Sequence, residues 1–362
     1  MEISISEKTT QIKRARQILA SHKLDAILVN GLVNIRYLSG FTGSDGAFLY
    51  SADDEWFLCD SRYTTQAKYE TSVKNIIQYN QKNLGIAETI KEQKWQRIGF
   101  DSEKTSVSFL NKLTPLLSDV KLIPLDDELD NLRIIKEAEE IAALKKVAKL
   151  ASDAFKGILD RIKPGISEHE VALALEMAML QKGADEKSFD FIVASGKRGA
   201  LPHGPPTEKI IESGDFVTID FGAKLNGYHS DETVTLAVGK IDKKQQDIYN
   251  VVKNAHDMAL EAVKPGTSCS IIDKIARDYI TKHGYGDYFG HGLGHGVGLE
   301  IHEKPSVSPK SVHVIQEGMI FTIEPGIYIP NWGGIRIEDS VEVTKDGCRT
   351  LTQVPKNLLT VN

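Results

Sequence analysis

The chain has 362 residues, of which 41% are hydrophobic and 26% charged, with 44 basic against 50 acidic side chains. At roughly 150 residues per domain this length implies about two domains, each able to bury a core. The nearly balanced charge, with no block of either sign, argues against an electrostatic nucleic-acid binder, and no apolar run approaches the ~20 residues of a membrane span.

The opening residues, Met1-Glu2-Ile3-Ser4 onward to Lys13-Arg14, contain no apolar signal core. Cys59, Cys269 and Cys348 are odd in number and scattered. Both features are those of a cytoplasmic protein with reduced thiols. Residues 7–22 read as an amphipathic helix carrying Ile12, Ala15, Ile18 and Leu19 on one stripe. Ala26-Ile27-Leu28-Val29 reads as a buried strand, residues 40–46 as a turn-rich loop, and Ala47–Tyr50 and Trp56–Cys59 as a strand pair. Together they predict a small α/β domain. The acidic, Pro-led stretch at 124–131 marks the boundary, giving expected domains of 1–128 and 129–362. A helical pattern runs from Leu132 to about Leu159. Trp56, Trp95 and Trp332 are expected to pack in cores.

The second part contains an internal repeat. Ile162-Lys-Pro-Gly-Ile-Ser167 recurs as Val263-Lys-Pro-Gly-Thr-Ser268, an offset of 101 residues (264 against 163). Gly214-Asp-Phe-Val-Thr-Ile-Asp220-Phe-Gly222 matches Gly318-Met-Ile-Phe-Thr-Ile-Glu324-Pro-Gly326, an offset of 104 (324 against 220). Ser167 and Glu170 form a capping box before a helix that Gly183 stops; Ser268 or Ser270 caps its copy, which Gly284 stops. Each half therefore runs helix, connection, β-hairpin. Two copies of one unit predict a pseudo-twofold axis and a shared cleft.

The repeat places acids at matching positions. Asp220 and Glu324 correspond, and each is followed by a strand with a second acid, Asp231 and Glu338. Side-chain alternation puts Thr218 with Asp220, Asp231 with Thr233 and Thr235, and Arg336 with Glu338. One acid at a strand end is ordinarily a solvated turn residue. Four converging on one cleft repel one another and raise one another's pKa unless cations neutralise them. The stretch Gly290–Glu303 holds three of the chain's 10 histidines and offers a nitrogen ligand. Such a carboxylate-rich set suits manganese or cobalt better than a thiolate zinc site, and a metal pair implies hydrolysis. The same glycines loosely match a dinucleotide loop, but the acid that should follow ~20 residues on is missing. His22, His169, His256 and His313 lack partner patterns and read as surface residues; His229 reads as a neighbour of the site and not a ligand.

These motifs, Ile-Asp220-Phe-Gly, Ser-Asp231-Glu-Thr, His291-Gly-Leu-Gly-His295 through His302-Glu, Ile-Glu324-Pro-Gly and Arg336-Ile-Glu338-Asp, resemble the pita-bread metallopeptidases. Within them the chain is most similar to proline-specific exopeptidases of the aminopeptidase P and prolidase types. Arg36-Tyr-Leu-Ser-Gly-Phe-Thr-Gly-Ser44 and Asp60-Ser-Arg-Tyr63 resemble the creatinase/prolidase amino-terminal domain. The implied fold is α+β, a small α/β creatinase-like domain followed by a pseudo-twofold pita-bread catalytic domain. The implied metal ligands are Asp220, Asp231, His295, Glu324 and Glu338, with Asp231 and Glu338 bridging two divalent ions. Manganese is the first expectation, cobalt or zinc the alternatives. Glu324 doubles as proton shuttle, while His203, His291 and His302 contact substrate; Arg336 holds Glu338 or binds a substrate carboxylate. Val234 stands where the family commonly has arginine, and alternation turns it away from Asp231.

The implied activity is cleavage of Xaa-Pro-Yaa peptides before proline, in the manner of aminopeptidase P, with dipeptide-only prolidase action as the alternative. A catalytically dead binding protein is the reading from another class; the intact ligand set opposes it. The same set opposes metal-free creatinase action, and the extra amino-terminal domain opposes a methionine aminopeptidase. Expected partners are small peptides and further copies of the chain in a homodimer or larger homo-oligomer, with no nucleic acid and no membrane.

Overall fold

The structure is a computed structural model that describes residues 5–362, with side chains described from residue 11 onward. The reading made of Met1–Ser4 lies outside these residues. The chain divides into two compact units, Met1–Arg133 and Ile134–Asn362. The division falls five residues beyond the expected 128/129. Tyr37 Oη donates to Leu132 O at 2.8 Å and Arg133 Nη1 to Asn34 Oδ1 at 2.5 Å, which keeps this stretch with the first unit.

In the first unit α1 (Ile5–His22) buries the stripe Ile12, Ala15, Ile18 and Leu19. It is followed by β1 (Ala26–Val29), α2 (Leu32–Ser39), β2 (Ala47–Ser51), β3 (Glu55–Cys59), α3 (Thr64–Glu70) and β4 (Asn75–Gln78). Then come α4 (Lys82–Glu92), β5 (Arg97–Asp101), α5 (Val107–Leu113), β6 (Lys121–Leu125) and α6 (Glu128–Asn131). The strands form one mixed sheet in the order β4-β3-β2-β1-β5-β6. All four residues of β1 are buried, as a central strand covered on both faces requires. Leu28, Leu49, Leu58, Ile86, Ile90 and Ile98 form the core on one face, where Trp56 packs edge-to-face on Trp95 at 4.9 Å.

The second unit begins its helical part at Ala138, not Leu132, because Glu137 and Glu140 close a capping box there. Its first half comprises α7 (Ala138–Lys156), α8 (Glu168–Gln181), β7 (Glu186–Lys187), β8 (Ile192–Ser195), β9 (Phe216–Phe221), β10 (Ala223–Leu225), β11 (Tyr228–His229) and β12 (Glu232–Val238). Its second half comprises α9 (Lys243–Ala262), α10 (Cys269–Lys282), β13 (Gly294–Gly296), β14 (Glu303–Val307), β15 (Ile320–Ile323), β16 (Gly326–Ile329), β17 (Gly333–Arg336) and β18 (Asp339–Thr344). Two closing strands follow, β19 (Gly347–Thr350) and β20 (Thr360–Val361).

The halves repeat backbone contacts where the sequence repeats. Gly165 N donates to Ile211 O at 3.0 Å, and Gly266 N to Ile315 O at 2.8 Å. Ser167 bridges Ile210, and Ser268 bridges Val314. Ser167 accepts from Glu170 N and completes its capping box. Ser268 is the cap of α10 but makes no cap bond; its hydroxyl meets Ser270 instead, at 2.8 Å. The main sheets run β20-β12-β9-β8 and β14-β13-β15-β18-β19. In each, the strand pair (β9 with β12, β15 with β18) is antiparallel and encloses a smaller strand pair, β10 with β11 or β16 with β17. Ile248, Val252, Ile272, Ala276, Ile280, Phe321, Ile323, Ile335 and Val341 are buried together as the core beneath α9 and α10.

Candidate metal centre

The repeat brings the four acids to the middle of the second unit. Asp220 is the penultimate residue of β9, and Glu324 directly follows β15. Asp231 and Glu338 directly precede β12 and β18. His295 is the central residue of β13, whose register on β14 shifts between His295 and Gly296. The flanking glycines serve close approach of strands, not a phosphate. A Cβ on Gly294 would lie 1.9 Å from Thr322 O, and one on Gly296 would lie 2.2 Å from Lys304 O.

Donor atoms of Asp231, His295 and Glu338 lie within 4.8 Å of one another. His295 Nε2 is 3.5 Å from Asp231 Oδ2 and 3.4 Å from Glu324 Oε1. Its Nδ1–H donates to Gly296 O at 3.0 Å, so the lone pair of Nε2 faces the carboxylates. That is the orientation of a metal-bound imidazole. Asp220 Oδ2 accepts from Arg336 Nη2 at 2.7 Å, while its Oδ1 is buried with no partner. Glu338 Oε2 accepts from Thr233 Oγ1 at 2.5 Å, and Glu324 Oε1 from Thr322 Oγ1 at 3.0 Å.

Burial, reinforced by the neighbouring carboxylates, raises the pKa of Asp231 and Glu338 well above the usual range. Burial also pushes Glu324 up to about 8, against the opposing pull of Arg336. An orphaned buried oxygen, an imidazole lone pair aimed among carboxylates and mutually repelling acids together fit divalent cations.

Arg336 does not touch Glu338, contrary to one sequence expectation. β17 ends at Arg336, and its guanidinium reaches Asp220, Thr233 Oγ1 (3.2 Å), Pro202 O (3.1 Å) and Tyr328 Oη (2.9 Å). Glu338 is held by Thr233 instead. Val234 is buried and pairs with Ile219 in the sheet.

A cavity of about 880 Å³ opens over the cluster. His203, His291 and His302 line it with the four acids, His295 and Arg336. The His302 ring lies 4.3 Å from that of His295. His291 has both nitrogens occupied: Nδ1 donates to Gly292 O at 2.7 Å, and Nε2 lies 2.9 Å from Tyr328 Oη. Burial lowers its pKa to about 4, so the ring is neutral. Leu173, Phe189, Phe191, Ile192, Pro205 and Pro206 add an apolar lining, interleaved with the charged Glu176, Lys187 and Asp190.

Side chains of α8 and α10 clamp the loops that carry the histidines. Glu168, the first residue of α8, is fully buried and accepts from Ser195 N (2.7 Å), Arg198 Nε (2.9 Å) and Thr207 Oγ1 (2.7 Å) on the His203 loop. In α10, Asp273 pairs with Arg277 at 2.8 Å, and Arg277 donates to His291 O at 2.7 Å. Sequence reasoning misses Glu168, Tyr328 and this pair, although an acid–arginine spacing of four on a helix is a legible signal. It also misplaces His256, which is buried, 3.3 Å from Asp339 Oδ2, and not on the surface. His256 shares the buried face of α9 with Val252, Ala255 and Ala259, a helical spacing that announces burial. His229 is buried against Ser188, 2.9 Å away, and points to no carboxylate of the cluster. His169 is exposed at the cavity rim.

Residues 142–345 match the model of metallopeptidase family M24, and residues 11–135 that of the creatinase/prolidase N-terminal domain. The solved Xaa-Pro dipeptidase from Bacillus anthracis is 42% identical with a TM-score of 0.96, covering 98% of this chain and all of that one. The X-Pro aminopeptidase from Thermotoga maritima is 36% identical with a TM-score of 0.89, covering 96% of this chain and 99% of that one. The Xaa-Pro dipeptidase of Pyrococcus furiosus is 38% identical over 360 residues, 96% of this chain and 99% of its own length. Among the described residues no helix is long and apolar enough to cross a membrane. The chain belongs to metallopeptidase family M24, with a creatinase/prolidase N-terminal domain ahead of a pita-bread unit.

Proposed function

We infer that the chain hydrolyses the peptide bond between an amino-terminal residue and a following proline, and that Xaa-Pro dipeptides are its main substrates. The observation that carries the reading is the convergent set Asp220, Asp231, His295, Glu324 and Glu338, with Asp231 and Glu338 buried and the other three half-buried, at a cavity partly lined by apolar side chains. The Xaa-Pro dipeptidase names of the Bacillus and Pyrococcus relatives favour dipeptides over the aminopeptidase P expectation.

The five residues would hold two divalent cations, with manganese as the expected ion. When bound, the cations polarise the scissile carbonyl and lower the pKa of the attacking water. Glu324 accepts that water's proton and returns it to the leaving proline nitrogen. Its surroundings suit a proton carrier, since Thr322 fixes one oxygen and burial gives the carboxyl a raised pKa. His302 and His203 donate to the oxygen on which charge develops. His291, with both nitrogens engaged, holds Tyr328 against Arg336 and shapes the pocket floor. Phe189, Phe191 and the two prolines of the lining offer an apolar bed for the pyrrolidine ring.

Aminopeptidase action on Xaa-Pro-Yaa is the second reading. The volume of about 880 Å³ exceeds what a dipeptide fills, and the Thermotoga relative is named an X-Pro aminopeptidase. Hydrolysis rates for matched Xaa-Pro, Xaa-Pro-Yaa and Xaa-Ala peptides test the reading. Preference for Xaa-Pro supports it, faster cleavage of Xaa-Pro-Yaa selects the second reading, and indifference to proline overturns both.

A further inference from the structure

Behind the metal centre lies a second pair of acids related by the same repeat. Glu232 follows Asp231, and Asp339 follows Glu338. Adjacent residues in extended backbone point to opposite sides, so these two face away from the cavity. Both are buried, and Lys356 reaches both: Nζ lies 2.5 Å from Glu232 Oε1 and 3.4 Å from Asp339 Oδ1. Lys356 itself is buried, 8% exposed.

The segment around Lys356 reaches the same acids at Thr352, Val354 and Lys356 itself. Leu351 N donates to Ser340 O at 2.8 Å, and Thr352 Oγ1 donates to Asp339 Oδ1. Val354 N donates to Glu232 Oε1 at 3.0 Å. β20 then pairs in parallel with the far end of β12, Thr360 with Ala237 and Val361 with Val238. Ser340, beside Asp339, donates back to Asp231 O at 2.8 Å. One segment therefore contacts the residue after each expected bridging ligand, once per half.

We propose that Leu351–Val361 is a strap that positions Asp231 and Glu338 for the cations, with Lys356 as the positioning residue between the two halves. The inference rests on the ligand set proposed above. Lys356 does not line the cavity, and its ion-pair partners, Glu232 and Asp339, are not among the proposed ligands. It cancels charge between two buried carboxylates whose neighbours are the ligands, so its loss lets the strand starts of β12 and β18 move apart. The expected cost is that of an outer-shell residue, ten- to a hundredfold in metal affinity.

The test titrates the metal-free full chain with Co2+, following stoichiometry and the visible absorption of the bound ion. Wild type, Lys356→Arg and Lys356→Met are compared, and circular dichroism without metal reports folding. The proposal expects Lys356→Met to fold, to bind Co2+ ten- to a hundredfold more weakly and to show an altered absorption band, with Lys356→Arg close to wild type. A folded Lys356→Met with wild-type affinity and spectrum overturns the strap. Should Lys356→Met not fold, amide hydrogen exchange of wild type decides. Co2+ slows exchange across Leu351–Val361 at least tenfold if the strap is coupled to the site, and unchanged exchange overturns it. Wild type that binds no Co2+ defeats the metal reading itself, and the strap with it.

Discussion

Arg336 Nη2 donates to Asp220 Oδ2 at 2.7 Å, and the other oxygen of Asp220 is buried without a partner. The guanidinium pins one oxygen and leaves its twin unpartnered, as the proposed ligand set requires. Arg336 belongs to one half of the repeat and Asp220 to the other, so the pair also joins the halves at the site.

Replacing Arg336 by Ala is expected to lower metal affinity or activity ten- to a hundredfold, the usual cost of losing an outer-shell partner. Lysine recovers little, because one ammonium cannot span Asp220, Thr233 and Tyr328 as the fork does. Metal content after dialysis against graded manganese, measured beside peptide hydrolysis, checks this.

The raised carboxylates give the metal-free protein a definite pH dependence. Between the ordinary glutamate value of 4.5 and about 8, the folded protein holds a proton on Glu324 that the unfolded chain releases. The folded state binds more protons there, so stability falls as pH rises through the window. The thermal midpoint of metal-free protein is expected to drop from about pH 5 to about pH 8. Excess manganese is expected to raise the midpoint most at the upper end, where protons no longer compete for the ligands. Thermal scans across that range, with and without the ion, report both slopes.

Glu168 holds the loop that carries His203. Glu168→Ala leaves Ser195 N, Arg198 and Thr207 without their acceptor. The expected loss is about 3 kcal/mol in urea unfolding, together with a fall in kcat/KM. Metal content stays at the wild-type level, because Glu168 touches no residue of the carboxylate cluster.

His302→Ala separates a proposed substrate contact from a proposed ligand. Its ring stands beside His295 and has no share in the cluster of Asp231, His295 and Glu338. If His302 donates to the oxyanion as proposed, its loss lowers kcat by about 10²–10³-fold. Metal stoichiometry is unchanged, whereas His295→Ala lowers both. Peptide hydrolysis and elemental analysis on the same samples distinguish the two.

Much of this architecture is written in local pattern. The Lys-Pro-Gly turns and the Asp220 and Glu324 strands repeat in the sequence, and the matching bonds of Gly165 and Gly266 repeat in the fold. Strand alternation tells which side chains share a face, placing Thr233 with Asp231. Alternation does not tell which residue lies opposite across two halves, and so it pairs Arg336 with Glu338 although the true partner is Asp220. His256 reads as exposed although its spacing with Val252, Ala255 and Ala259 marks the buried face of α9; what local pattern does not show is the distant carboxylate beside it, Asp339 Oδ2 at 3.3 Å. Lys356 is invisible for the same reason, since its two partners lie 124 and 17 positions away (356 against 232 and 339).

A metal pair held by this residue set and acting on a proline bond is the central claim. Its most direct test is proline release from an Xaa-Pro dipeptide, measured as manganese is added back to metal-depleted protein. The expected result is no release without metal, a rise to a plateau at two equivalents per chain, and almost none from Asp231→Asn at any manganese level. Full activity from the depleted protein, or from Asp231→Asn, would contradict it.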